Sequence, residues 1–163
     1  MFNYAVKYYD LRDNPCTKAG SMGKSNAEEM QFWTKAEFEQ FITAVQDKPA
    51  CYTAFMTMYY TGMRVGELCA LTPEDMNLEN NTITINKTFQ RINGRDVVWP
   101  PKTQKSNRVI TIPQTLADCL KNYMDKCYEI QPNDRLFPYT KSFLNYEMLR
   151  GCKKSGVKKI RVH

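Results

Sequence analysis

The sequence is poor in the residues that build metal sites. Its 163 residues include a single histidine, His163, and none of its six cysteines form a pair spaced CxxC. A zinc finger needs paired cysteines or histidines at short spacing. That class of protein is therefore excluded, and we expect no metal site.

Long apolar runs are also missing. No stretch approaches the roughly 20 residues of a membrane span, and no basic helix carries aromatic and aliphatic residues on its other face. We therefore expect no membrane partner. Cys51 and Cys69 lie in apolar stretches with helical spacing. This favours reduced thiols packed as small hydrophobic groups, as in a cytoplasmic protein.

Charge is distributed unequally along the chain. Residues 1–81 contain 7 Lys and Arg against 11 Asp and Glu, a net charge of −4, whereas residues 82–163 contain 16 against 6, a net charge of +10. An excess of basic over acidic residues often reflects only a solvated surface. So large a skew within a short chain favours a polyanionic partner, most simply nucleic acid.

The first 30 residues differ from the rest. Residues 2–11 carry apolar side chains at helical spacing, which predicts an amphipathic helix too short to be stable alone. We interpret residues 1–11 as the last helix of a missing N-terminal domain. Residues 12–30 are polar, contain Pro and Gly and lack periodicity. This pattern predicts a linker.

Residues 31–163 predict an α+β domain, mainly helical with a small three-stranded antiparallel sheet. A capping box at 34–37 begins one helix, residues 50–60 are apolar on almost all sides, and further helices are expected near 72–75, 114–130 and 140–155. Strands are predicted at 82–89, 95–99 and 108–113. The dipeptide NG at 93–94 is typical of a type I′ hairpin turn.

One motif, TGMRVGEL at 61–68, places a cation where a helix begins. Thr61 is a suitable N-cap, and Arg64 then falls in the first turn, at the positive end of the helix dipole. One interpretation is an ion pair between Arg64 and Glu67. The other is an anion site, in which the guanidinium and free backbone N–H groups meet one phosphate. Gly62 and Gly66 would let a backbone approach.

Two further candidates depend on their context. Lys102 lies in the loop between the second and third predicted strands. Most turn lysines are simply solvated, but a mobile donor there could reach a phosphate or a leaving-group oxygen. His163 follows a short apolar stretch, and an isolated terminal histidine usually has no function. The basic candidates for DNA contact on the sheet and hairpin are Lys87, Arg91, Lys105 and Arg108.

The order of these motifs resembles the catalytic domain of the tyrosine recombinases, the phage-type and conjugative-transposon integrases. The family's first active-site arginine lies in a T-G-x-R-x-x-E-[LI] motif, matched by Thr61, Gly62, Arg64, Glu67 and Leu68. Its lysine lies in a K-T-x-x-S-x-R context, matched by Lys102, Thr103, Ser106 and Arg108. The resemblance covers residues 31–163. It makes residues 1–11 the end of a core-binding domain and 12–30 the interdomain linker.

The resemblance implies a role for each matched residue. Arg64 would bind the non-bridging oxygens of the scissile phosphate and stabilise the transition state. Lys102 would donate a proton to the leaving 5′ oxygen, and His163 would assist proton transfer. Glu67 would support the site. No cofactor is implied, because a tyrosine nucleophile conserves the bond energy in a 3′-phosphotyrosyl link. The implied partner is duplex DNA, with self-assembly on it in the full-length protein.

The chain departs from the family after His163. The second arginine of the family's H-x-x-R box and the tyrosine nucleophile would both lie beyond it, whereas Tyr59 and Tyr60 are expected in the core. The 163 residues are therefore predicted to be inactive by themselves. Two alternatives remain at this point. The chain could be a non-catalytic DNA-binding or regulatory module, or an RNA-binding or structural domain whose Arg64–Glu67 pair is only an ion pair.

Overall fold

The computed structural model describes residues 1–20, 31–100 and 107–162. Two compact units are present, Met1–Gln31 and Phe32–His163, which we call the N-terminal and C-terminal units. Within the described ranges, no helix is both long and apolar enough to cross a membrane.

Residues 1–20, the described part of the N-terminal unit apart from Gln31, contain two short helices. Helix α1 (Phe2–Tyr8) confirms the predicted helix. Helix α2 (Pro15–Ala19) lies in the segment 12–30, which lacks periodicity and is predicted to be a linker. The side-chain oxygen of Asn14 caps α2 by accepting a hydrogen bond from the backbone N–H of Cys16 at 2.9 Å. Five residues are too few for a periodicity, which is why the pattern did not reveal this helix. The assignment of 12–30 as a linker stays a prediction.

Five helices form the bulk of the C-terminal unit. They are α3 (Lys35–Ala44), α4 (Pro49–Thr61), α5 (Val65–Ala70), α6 (Gln114–Met124) and α7 (Lys141–Ser155). The predicted capping box at the start of α3 is confirmed: Thr34 Oγ1 accepts from the Glu37 N–H at 3.3 Å, and Glu37 Oε2 accepts from the Thr34 N–H at 2.7 Å. Helix α6 ends at Met124, earlier than the predicted 130.

The core lies between these helices. Phe41 of α3, Leu68 of α5 and Leu144 of α7 have no exposed surface. Helices α3 and α7 pack closely because residue 151 is glycine. A Cβ there would overlap the ring of Phe41 and lie 2.7 Å from Val45 Cγ1.

The buried face of α4 ends before its last turn. Tyr59 and Tyr60, expected in the core, are 45% and 41% exposed, so that expectation is wrong. Because they lie in the last turn of α4, their rings extend past the packed part of the helix. Tyr59 instead stacks on the edge of the core, with its ring centroid 3.7 Å from that of Phe38.

All six cysteines are free. Cys51 and Cys69 are buried, with 1% and 0% of their surface exposed. Burial raises the pKa of each thiol to about 11, since it disfavours the thiolate. The interpretation of these two residues as small hydrophobic groups is confirmed.

The strands form two separate sheets. Among the described residues, strands β1 (Met76–Asn77), β2 (Thr82–Ile85) and β5 (Arg108–Thr111) make an antiparallel sheet in the order β1-β2-β5, and β3 (Thr88–Ile92) pairs with β4 (Arg95–Trp99). The α+β class with a small three-stranded antiparallel sheet is confirmed. The predicted strand 82–89 is in fact two strands, because the chain leaves the ladder at residues 86–87, and the sheet's other members differ from those expected.

The β3–β4 pair is a hairpin that we call the ribbon. Its turn has positive φ at both central residues, 51° at Asn93 and 78° at Gly94. These angles confirm the predicted type I′ turn. Ile92 and Arg95 form the last pair before the turn.

A buried carboxylate ties α7 to the turn between α3 and α4. Glu147 has no exposed surface, and its two oxygens accept from Lys48 Nζ at 2.6 Å and from Arg150 Nε at 2.7 Å. The Arg150 guanidinium also donates twice to Asp47, at 2.8 and 3.1 Å. Both oxygens of the buried carboxylate are therefore hydrogen-bonded to cations, as burial requires.

Candidate active site

The TGMRVGEL motif forms the junction between α4 and α5, and its cap differs from the one expected. Thr61 is the last residue of α4, and Gly62 ends that helix in the left-handed conformation, with φ 60° and ψ 19°. Arg64 is the N-cap of α5, in an extended conformation. The placement of Thr61 as N-cap and of Arg64 inside the first turn is therefore wrong. The reason is that glycine at 62 turns the chain before the next helix begins.

Glu67 takes the position in α5 that a capping box gives to an acid. Its Oε2 accepts a hydrogen bond from the backbone N–H of Arg64 at 2.9 Å. A carboxylate here also faces the positive end of the helix dipole. The acid of this capping box lies three residues after the observed N-cap, Arg64.

The ion pair between Arg64 and Glu67 is present. Arg64 Nη1 lies 3.1 Å from Glu67 Oε1, yet the side chain of Arg64 is 74% exposed whereas that of Glu67 is 9% exposed. Among the described residues, the Nε and Nη2 atoms of Arg64 have no hydrogen-bond partner. The pair therefore leaves one edge of the guanidinium open to solvent, so the ion-pair and anion-site interpretations are compatible.

Arg108 holds the same carboxylate from the other side. Its Nη1 donates to Glu67 Oε1 at 3.1 Å and its Nη2 donates to Oε2 at 2.7 Å. This is the bidentate geometry that makes arginine–carboxylate pairs strong. The sequence predicted a DNA contact for Arg108. That contact stays a prediction, and the structure shows that the Arg108 guanidinium is bound to Glu67. Local patterns could not reveal this bond because β5 and α5 are far apart in the chain.

The electrostatics of the cluster follow from these contacts. Burial alone would raise the pKa of Glu67, but hydrogen bonds from Arg108 and from Arg64 outweigh burial and lower it. The same contact raises the pKa of Arg108. Glu67 is therefore ionised at neutral pH, and one negative charge is shared by two positive ones. The cluster keeps a net positive charge at the start of α5.

The expectation that the two glycines of the motif let a backbone approach is confirmed for Gly66 and wrong for Gly62. A Cβ on Gly66 would lie 2.6 Å from Thr88 Oγ1 and 3.1 Å from the backbone oxygen of Phe89. The backbone that approaches Gly66 is that of strand β3. A Cβ on Gly62 would meet nothing within 4 Å, and its positive φ is what requires glycine.

A residue that the sequence analysis missed fixes the ribbon to α5. The Arg135 guanidinium lies 4.0 Å from the ring centroid of Phe89. It also donates to Asp96 at 2.9 Å and to the backbone oxygen of Cys69 at 3.3 Å. The sequence gives no local signal for this set of contacts, because each partner comes from a different element.

The other residues predicted to contact DNA differ in exposure. Lys87 Nζ lies 2.9 Å from Asp75 and from Thr72 Oγ1, and its side chain is 20% exposed. Its ammonium is thus occupied by the turn that contains Asp75. Arg91 is 55% exposed, with its Nε 3.6 Å from Asp96. A DNA contact stays a prediction for both, and the geometry favours it only for Arg91.

Three predicted site residues, Lys102, Lys105 and His163, lie outside the described residues. The structure therefore does not test whether they approach Arg64. Val162, directly before His163, is buried with 3% of its surface exposed. In the part of the chain that the structure covers, no three His, Cys, Asp or Glu side chains are grouped so as to hold a metal ion.

A mainly helical α+β domain that holds an exposed arginine against a buried carboxylate has the features of a binding site for an anionic group. The profile of the protein family described as "Phage integrase family" matches residues 31–163. Because this match covers most of the chain, the chain belongs to that family. The resemblance to tyrosine recombinases is confirmed.

Relatives of the chain are integrases of mobile elements. The ICEBs1 integrase of Bacillus subtilis (strain 168) is 27% identical over 177 residues, covering 100% of this chain and 48% of the relative. The integrase of Staphylococcus phage L54a is 31% identical over 163 residues, covering 84% of this chain and 46% of the relative. The chain thus spans about half the length of the curated relatives it matches.

Solved structures show the same fold. The Tn1549 transposon integrase in complex with circular intermediate DNA aligns with a TM-score of 0.77 and 22% identity, over 95% of this chain and 56% of that one. A lambda integrase dimer bound to a COC′ core site aligns with a TM-score of 0.59 and 18% identity, over 98% of this chain and 55% of that one. At these identities the likeness concerns the fold alone.

Proposed function

We propose that this chain belongs to a tyrosine recombinase that integrates or excises a mobile element by site-specific recombination of duplex DNA. The residues from 31 onward would contribute part of its catalytic domain. The observation that carries this proposal is the geometry of Arg64. Its guanidinium is held at one edge by a buried carboxylate, and its other edge is open at the start of a helix.

The open edge of Arg64 has the right chemistry for a scissile phosphate. Two N–H groups of a guanidinium match two non-bridging phosphate oxygens. Because Glu67 fixes the other edge, the donors are oriented before DNA arrives. Preorganised donors stabilise the charge that develops on the oxygens of a pentacoordinate transition state. Arg64 is therefore the residue on which cleavage would depend most among those that the structure describes.

Lys102 and His163 would move protons in the same reaction. Lys102 would protonate the leaving 5′ oxygen, and His163 would assist proton transfer. The nucleophile would be a tyrosine, which conserves the energy of the phosphodiester in a 3′-phosphotyrosyl link and so needs no cofactor. In the motif order of the family this tyrosine follows His163. We therefore propose that the 163 residues alone do not cleave DNA.

Duplex DNA is the proposed partner, and the full-length protein would assemble with copies of itself on it. Two observations support this. The net charge of residues 82–163 is +10 from 16 basic and 6 acidic side chains, and two solved relatives with this fold are integrases bound to DNA. The six free cysteines suit a cytoplasmic site of action.

A suicide-substrate experiment tests this function. The full-length gene product and the 163-residue chain are each incubated with a nicked duplex carrying the candidate attachment sequence, and covalent adducts are separated on a denaturing gel. We expect an adduct with the full-length wild type, none with Arg64→Ala, and none with the short chain. Lys121→Ala, an exposed lysine on α6, is the matched control and should react like wild type.

Other results would change the proposal. An adduct formed by Arg64→Ala at the wild-type rate would remove Arg64 from the reaction. Salt-sensitive binding by the full-length protein without any adduct, on a set of duplexes spanning both ends of the element, would favour the non-catalytic DNA-binding module instead.

A further inference from the structure

We propose that Arg108 is a positioning residue for Arg64, which it orients through Glu67, and that it does not contact the DNA backbone. The inference rests on the proposed function, since it assumes that Arg64 binds the scissile phosphate. It changes the role of a residue that lies in the basic part of the chain, where a direct phosphate contact would be the default expectation.

The contacts of Arg108 leave little of its guanidinium for DNA. Both Nη atoms are bonded to Glu67, one to each oxygen, at 3.1 and 2.7 Å. The Arg108 side chain is 33% exposed, less than half the 74% of Arg64. Because a guanidinium has five N–H donors, a phosphate could reach Arg108 through its other N–H groups, but the low exposure of the side chain limits that approach. Turning the paired N–H groups toward a phosphate would leave the carboxylate of Glu67 buried with fewer partners, which is costly.

Arg108 also determines how many N–H groups of Arg64 are bonded to Glu67 and how many stay open to a phosphate. Glu67 is 9% exposed, so its charge must be compensated within the protein. With Arg108 present, both oxygens are satisfied by the bidentate pair, and Arg64 needs to give only Nη1. Without Arg108, the same carboxylate would draw more of the Arg64 guanidinium inward. The edge that faces solvent would then turn away from the position of a phosphate.

The position of Arg108 in the fold gives this contact a second consequence. Arg108 is the first residue of β5 and pairs with Ile85, the last residue of β2. Strand β5 begins directly after the loop that contains Lys102 in the sequence. The Arg108–Glu67 pair therefore fixes the strand leaving that loop to the helix that begins at Arg64. One ion pair thus joins the N-terminus of α5, where Arg64 lies, to the strand that follows Lys102 in the sequence.

The test separates positioning from DNA contact by measuring cleavage and binding in the same variants. In the full-length gene product, Arg108→Gln should lower the cleavage rate on the suicide duplex by about 10- to 100-fold, the scale of a small misplacement of a reacting group. In the 163-residue chain, the same change should leave the slope of log affinity against log salt unchanged. A lost phosphate contact would reduce that slope by about 0.9.

Two more variants distinguish positioning from a general loss of stability. Arg108→Lys keeps the charge but cannot span both carboxylate oxygens, so its cleavage rate should lie between those of wild type and Arg108→Gln. The double variant Glu67→Gln/Arg108→Gln should cleave no more slowly than Glu67→Gln alone, because Arg108 acts through Glu67. Lys121→Gln is the matched control for the loss of a cation, and all variants are compared below their unfolding transitions.

Each outcome decides one point. A salt slope reduced by about 0.9 in Arg108→Gln, or cleavage at the wild-type rate, overturns the inference. Additive losses in the double variant would also overturn it. If the full-length wild type forms no adduct, the proposed function fails. The salt slope of the short chain then still decides whether Arg108 contacts DNA.

Discussion

The buried carboxylate of Glu147 offers a quantitative test of what holds α7 in place. In Glu147→Gln the shape of the side chain is kept, but its charge is lost and its amide nitrogen faces one of the two cations. Two charge-assisted hydrogen bonds of 2.6 and 2.7 Å are affected. Such bonds contribute roughly 1.5–3 kcal/mol each.

The environment of the two cations reduces that estimate. The side chains of Lys48 and Arg150 are 45% and 24% exposed, so water can replace part of the lost interaction. Arg150 also keeps its two hydrogen bonds to Asp47. We expect Glu147→Gln to lower the free energy of unfolding by about 2–3 kcal/mol. For a chain of this size that corresponds to a fall in Tm of about 4–12 °C.

The loss should depend on pH in a defined direction. Burial alone would raise the pKa of Glu147, but hydrogen bonds from Lys48 and Arg150 outweigh burial and lower it. A carboxyl group with a lowered folded-state pKa stabilises the protein above its unfolded-state pKa, and this contribution is lost as the pH falls through the folded-state value. The difference between wild type and Glu147→Gln should therefore be full at pH 7 and shrink below about pH 4.

Urea unfolding, followed by circular dichroism at pH 7 and at steps down to pH 3, measures both effects. The control is Glu39→Gln, since Glu39 is 62% exposed and its i,i+4 contact with Lys35 is 3.8 Å long. We expect that control to change the free energy of unfolding by about 0.5 kcal/mol or less. If Glu147→Gln costs no more than Glu39→Gln, or if its cost is the same at pH 3 and pH 7, the assignment of stability to this network is refuted.

Three other substitutions test packing and backbone. Gly151→Ala should lower the free energy of unfolding by about 1–3 kcal/mol, because the new Cβ overlaps the ring of Phe41. Gly62→Ala should cost about 1–2 kcal/mol, because residue 62 has positive φ. Both are measured by urea unfolding. Arg135→Lys removes the stacking on Phe89 and should speed amide hydrogen exchange in the ribbon by about fivefold or more.

The controls for these substitutions come from the same chain. Gly62→Asn should cost less than Gly62→Ala, because asparagine tolerates the left-handed region better than alanine. Exchange in β2 should be unchanged in Arg135→Lys, because β2 pairs with β1 and β5 and not with the ribbon. A neutral or stabilising Gly151→Ala, or faster exchange spread evenly over both sheets, would contradict the packing described above.

The presence of the helices in the C-terminal unit was largely predictable from local chemistry, although the start of α5 and the end of α6 were not. The capping box at Thr34 and the NG turn at Asn93 each act over a few residues, and both are confirmed. The strands were less predictable. Ile83, Ile85 and Phe89 share one period-two alternation across residues 86–87, but there Lys87 reaches Asp75 and the ladder stops. That contact is tertiary, so no local pattern encodes it.

The contacts of the site also fall into those that the sequence could predict and those that it could not. The pair of Arg64 with Glu67 lies within one helical turn, and the motif predicted it as one of two interpretations. The second half of the site, Arg108 on the same carboxylate, joins residues 41 positions apart, and the sequence could not show it. The cap was misplaced for a related reason. The residues after position 64 would fit a helix whose N-cap is either Thr61 or Arg64. The left-handed conformation of Gly62, which ends α4, decides in favour of Arg64.

The distribution of the six free cysteines has a practical consequence. Cys16 is the one cysteine that is exposed; the other five are buried or half-buried. Since thiol reagents attack accessible thiolates, a maleimide dye added in limiting amount should label Cys16 first. A fluorophore would then be attached in the N-terminal unit of the unaltered protein, away in sequence from Arg64, Glu67 and Arg108. Binding to DNA could be followed by fluorescence anisotropy without an engineered substitution.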